Sequence, residues 1–91
     1  MNSADYDKET IEKAEAMAKS YLNSNYNDIE TIEIEKVYRG ELGGLTVDGT
    51  VNNKYEFDMS INESDFTFGG MGVEKGFPDI KEECKDEICD Y

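Results

Sequence analysis

Two cysteines and twenty-two carboxylates carry most of the chemical potential of this 91-residue chain. Cys84 and Cys89 close the sequence Cys84-Lys85-Asp86-Glu87-Ile88-Cys89. Two thiolates with no third or fourth Cys or His cannot complete a structural zinc site, and the spacing is not that of a C-x-x-C redox pair. A local disulfide and two unpaired thiols both fit the residues. On an unbroken helix, residues five apart are separated by about 7.5 Å along the axis, so a bridge requires a bent or frayed terminus.

The chain has no His, so no imidazole exists to serve as a neutral-range base or metal ligand. Ser and Tyr nucleophiles lack an activating partner, and the lysines lie in charged stretches that do not depress an ammonium. A catalytic carboxylate pair needs one acid raised by burial beside a pocket, whereas the acids here alternate with apolar residues and face outward. From Asp58, oxygen-bearing side chains stand at the first, third and fifth positions of a calcium loop. Glu63 falls where Gly is needed and Gly69 where Glu is needed, so the motif fails twice. Asn62-Glu63-Ser64 is a short sequon, and Gly69-Gly70-Met71-Gly72 lacks the Lys and helix of a phosphate loop. No enzyme activity, cofactor or metal is expected.

A net charge of −13 repels phosphate backbones and anionic lipid, which argues against nucleic-acid binding. The same charge suits a basic protein surface, or the imitation of DNA phosphates if the carboxylates share one face. No apolar run reaches the length of a membrane span. A natural start at Met1 implies the cytoplasm, and an export signal ahead of it the cell exterior.

These side chains are positioned by one helix and several strands. Ile11, Ala14, Ala18, Tyr21 and Leu22 recur at helical spacing, which predicts a helix over 5–24 with Ser3, Asp5 or Asp7 as N-cap. Asn and Asp residues over 23–28 end it. Over 29–72 the period becomes two. Ile32, Ile34, Lys36 and Tyr38 are expected on one face of the first strand, with Glu33, Glu35 and Val37 on the other, facing water. Glycines at 40, 43 and 44 give a turn, and Asn52-Asn53 tolerates the positive φ of a tight hairpin joining Leu45–Val51 to Tyr55–Ile61. Gly49 is expected to leave room for the helix. Phe66, Phe68 and Met71 continue a fourth strand that the following glycines loosen. An Asp79-x-x-Glu82 capping box predicts a short acidic C-terminal helix or tail within 79–91, packed weakly through Ile80 and Ile88 or loose. The fold class is therefore α+β: a single domain over 1–91 with one N-terminal helix on a curled four-stranded antiparallel meander.

The segments Tyr21-Leu22-Asn23-Ser24-Asn25-Tyr26 and Leu45-Thr46-Val47-Asp48-Gly49-Thr50-Val51-Asn52-Asn53 resemble those of small uncharacterised lipoproteins of Gram-positive bacteria. In that family a helix ending in Tyr-Leu-x-x-x-Tyr precedes such a hairpin. The resemblance spans about residues 11–70 and implies a cystatin-like fold, an extracytoplasmic or surface location with a lipid anchor upstream, and an oxidising setting for a Cys84–Cys89 bridge. It carries no catalytic residue across. One helix leaves one sheet face uncovered, so a non-enzymatic, protein-binding role as an immunity or accessory factor is expected, with Tyr38, Arg39, Glu33, Glu35 and Leu42 as the candidate contact residues. The alternative is an intracellular acidic inhibitor or DNA mimic.

Overall fold

The computed structural model describes residues 6–41 and 43–91. Its elements run α1 (Lys8–Asn25), β1 (Ile32–Arg39), β2 (Leu45–Val51), β3 (Tyr55–Asn62), β4 (Thr67–Val73) and a single 3-10 turn at Glu82–Cys84. The strands form one antiparallel sheet in sequence order, β1-β2-β3-β4. The helix lies across one face of that sheet, an α+β arrangement.

The helix begins where Asp7, an extended residue, accepts the Thr10 amide on its carboxylate at 2.9 Å, which satisfies one of the donors that a first turn leaves unpaired. The other N-cap candidates, Ser3 and Asp5, lie outside the described residues. The buried stripe comprises Ala14, Met17, Ala18, Tyr21, Leu22 and Asn25. It meets Val37, Leu45, Val47, Val51, Phe57, Met59 and Ile61 of the sheet. Leu22, Leu45, Val47, Val51 and Met59 are fully enclosed.

Hairpin β2–β3 is set by its turn. Asn52 and Asn53 both adopt positive φ (56° and 57°), and the Lys54 amide closes onto the Val51 carbonyl at 3.1 Å. Asparagine tolerates this left-handed conformation better than most side chains. Asn52 does more than turn the chain. Its Oδ1 accepts the amides of Glu30 and Thr31, and its Nδ2 donates to the Asp28 carbonyl, so one residue ties the α1–β1 connection to the hairpin.

Two bulges change the expected strand phases. In β1 the register slips between Ile34 and Lys36, so the extra residue Glu35 reverses the alternation. Val37 therefore turns into the core with Ile32 and Ile34, while Lys36 and Tyr38 join Glu33 and Glu35 on the uncovered face. Arg39 falls on the helix side of the rim. In β4 a slip opposite Ser60 and Ile61 leaves Gly69 extra, which brings Phe68 and Met71 onto one face although they are three apart. The glycines do not end β4, which continues to Val73, and Phe66 (φ 57°) belongs to the preceding turn. The space at Gly49 accommodates the Phe57 ring and not the helix: a Cβ there would stand 2.8 Å from Phe57 Cζ and 2.5 Å from the Glu33 carbonyl oxygen.

The C-terminal segment is a strap. The expected α-helix and its capping box do not form, and the 3-10 turn has Lys81 as N-cap with no side-chain bond. The chain reverses at Glu74–Phe77, buries Phe77, and bridges Ile80 to Tyr26. Lys81 donates its amide to the Asn25 carbonyl, satisfying one orphan acceptor of α1. The buried Asn25 side chain then acts like a peptide group: Oδ1 accepts the Cys89 amide at 2.8 Å, and Nδ2 donates to the carbonyls of Cys89 and Tyr21. Ile88 does not pack on the sheet and is 46% exposed.

Cys84 and Cys89 form a disulfide with Cα atoms 5.2 Å apart, reachable because the helix is replaced by one tight turn. Cys84 Sγ lies 3.7 Å from the Ser24 carbonyl oxygen, a contact without a proton since the sulfur is bridged. Tyr91 reaches back over the helix, packing edge-on against Tyr21, which stacks on Phe68 at 4.0 Å.

Candidate functional site

The face that α1 leaves open is built by alternation. In β2, Leu45, Val47, Gly49 and Val51 point to the helix, so Thr46, Asp48 and Thr50 point away. In β3, Glu56, Asp58, Ser60 and Asn62 do the same. Register pairs Thr46 with Ser60, Asp48 with Asp58 and Thr50 with Glu56. On β4 the corresponding positions opposite Ser60 and Asp58 are Gly70 and Gly72, so the floor there is bare backbone.

Directly opposed carboxylates repel one another across a ladder, and the two aspartates splay apart. Asp48 leans toward β1, accepting the Tyr38 hydroxyl at 3.2 Å on Oδ1. Asp58 leans toward β4, where its Oδ1 accepts the Gly72 amide at 3.1 Å. A Cβ at residue 72 would stand 2.8 Å from that oxygen, so the carboxylate occupies the space glycine leaves. Between the two lies a depression of about 370 Å³ bordered by Glu35, Asp48, Glu56, Asp58, Gly72 and Glu74. Glu35 accepts the Thr50 hydroxyl at 2.6 Å, and Glu74 accepts the Glu56 amide at 3.0 Å. Among the described residues, no group of three or more acids is disposed to hold a metal ion.

A second depression, about 360 Å³, lies between Tyr38, Gly40, Glu41, Thr46, Asp58 and Ser60. Lys36 Nζ sits 4.4 Å from the centre of the Tyr38 ring, a cation among the carboxylates of Glu33, Glu35, Asp48, Glu56, Asp58 and Glu74. Partial burial, with the adjacent Asp48 charge and hydrogen bond, raises the Tyr38 phenol above its ordinary range, so it stays a donor.

The helix is different. Lys8, Lys13 and Lys19 balance Glu9, Glu12 and Glu15, so α1 contributes no net charge.

Glu33, Glu35 and Tyr38 are thus brought together on the open face. Arg39 is separated from them. It lies 5.0 Å from the Tyr6 ring centre on the helix side, donates to the Gly43 carbonyl at 2.8 Å and pairs with Glu63 at 3.4 Å. Leu42 lies outside the described residues. An exposed aromatic row is not found on this face, where Tyr38 is the one described aromatic; Phe57 is core, and Tyr26, Phe66 and Phe68 pack against it. Asp48, Glu56 and Asp58, which dominate the face, were not among the expected contact residues, although strand alternation and the Asn-Asn turn that fixes their register carry the signal for them. Glu74 was not, because it follows the strand.

No protein-family model matches this chain, and no curated protein or solved structure is significantly similar to it.

Proposed function

We propose that this protein is a non-enzymatic binding domain that docks a basic protein surface on the open face of its sheet. The observation that carries this reading is the acidity of the uncovered face, where Glu33, Glu35, Asp48, Glu56, Asp58 and Glu74 surround Lys36, against a helix of no net charge. Such a field accelerates encounter with a positively charged partner and rejects an acidic one. Nucleic acid is the wrong partner for the same reason. The disulfide and the resemblance to Gram-positive lipoproteins both favour a location outside the cytoplasm, since such bridges are rare in reducing compartments. An immunity or accessory role fits a domain of this size. The second reading, an intracellular inhibitor that imitates DNA, draws on the same carboxylates but not on the disulfide.

Site-specific photo-crosslinking in the producing cells tests the proposal, with the probe placed at Thr50 on the open face and, separately, at Lys19 on the helix. Adducts to a basic protein from position 50, lost with Glu35→Gln and Asp48→Asn, are the expected result. Adducts chiefly from position 19 would refute it.

A further inference from the structure

The sheet has two edges, and they are not alike. Edge strand β1 carries Glu33, Glu35, Lys36 and Arg39 together with a bulge, the devices by which proteins discourage another strand from pairing. Edge strand β4, Thr-Phe-Gly-Gly-Met-Gly-Val, carries no charge at all. Glu74 donates its amide inward to the Glu56 carbonyl at 2.9 Å. Alternation of an antiparallel ladder then turns the amides of Met71 and Val73 outward, away from β3. The C-terminal strap covers only the beginning of this edge, where the Tyr91 hydroxyl accepts the Phe68 amide at 2.8 Å. The Met71–Val73 end is uncovered among the described residues.

We infer that β4 accepts an extended, basic segment of the protein partner as a fifth strand, with its backbone on the Met71 and Val73 amides and its Lys or Arg side chains over Gly70 and Gly72 onto Asp58, Glu56 and Glu74. The inference rests on the open-face reading above and specifies how the partner is held. A strand added to β4 lies about 4.8 Å from it. Its side chains on the open side meet no β4 side chain at Gly70 or Gly72, and the Asp58 carboxylate lies in the space that Gly72 leaves. Main-chain bonds supply affinity and the carboxylates select positive side chains, as in other strand additions. A second copy of this chain is disfavoured as occupant, because it would bring its own Asp58, Glu56 and Glu74 against these.

The probe is a synthetic peptide alternating Lys and Val, titrated into the intact, disulfide-bonded chain by NMR. Binding should shift the Met71 and Val73 amides most and weaken with added salt. Val73→Pro removes one outward N–H at an edge, where proline is tolerated, and should weaken binding on the order of tenfold. A peptide N-methylated on the amides that face β4 should fail to bind, a control that leaves the protein unaltered. Strand addition is overturned by absence of binding, by equal affinity for the methylated peptide, or by self-association through β4. Equal affinity with shifts confined to Thr46, Thr50 and Ser60 would leave the open-face reading standing. Crosslinks chiefly from position 19 of the parent chain are what removes that reading itself.

Discussion

The two faces of the same four strands differ in what holds them. Side chains toward α1 are enclosed: Leu45, Val47, Val51 and Met59 have no measurable exposure, and their burial is the stabilising term. Their immediate neighbours in sequence, Thr46, Asp48, Thr50 and Asp58, face water and stabilise little. Asp48 and Asp58 stand directly opposite across the ladder, a placement of like charges that disfavours strand pairing.

The largest contrast is therefore expected between Leu22→Ala, which removes a fully buried side chain and should cost about 2–5 kcal/mol, and Ser60→Ala on the open face, which should stay within about 0.5 kcal/mol. Urea midpoints measure both, and equal effects would erase the distinction between faces. Next comes the strap. Replacing Cys84 and Cys89 by Ser opens a short loop and should cost about 2 kcal/mol. Asn25→Ala strands the Cys89 amide and carbonyl and should cost about 1–3 kcal/mol. A near-zero effect from either change would show that the strap rides on the fold without supporting it.

Alkali sharpens the contrast further. Burial, reinforced by Tyr26 and Tyr91, pushes the Tyr21 phenol up to about 12. A raised value means that the protonated form is favoured in the folded state. Its contribution is complete below the ordinary tyrosine value near 10 and is lost as pH rises from there through about 12. The urea midpoint should fall over that window alongside the growth of tyrosinate absorbance. Tyr21→Phe should flatten the fall, and an unchanged slope would assign it to other groups.

Much of this architecture was legible because local signals agreed. The helix stripe from Ile11 to Leu22, the Asn52-Asn53 turn and the alternation of β2 and β3 each specify structure within a few residues. The features that escaped depend on distant pairing. A bulge at Glu35 is invisible in its own strand, because it exists only relative to the spacing of β2, and it alone moved Arg39 off the open face and Val37 into the core. Asn25 reads as a helix terminator, yet it is buried by a strap more than sixty residues onward in the chain. The strap itself carried the acidic composition of a loose tail, and its attachment comes from Phe77, Cys84 and Tyr91, which no periodicity connects. For the site, the acids were readable one by one, whereas their gathering on one face became readable only when register was known.

The central claim, that the open-face carboxylates are held together against their own repulsion, is tested most directly by urea unfolding of the Asp48→Asn, Asp58→Asn variant. The asparagine Oδ1 atoms can still accept from Tyr38 and Gly72, so only charge is removed. At low ionic strength the variant should be more stable than the parent by roughly 0.2–1 kcal/mol, with the gain shrinking as salt screens the parent. A variant less stable than the parent at every salt concentration would mean that these charges serve the fold, which contradicts the account.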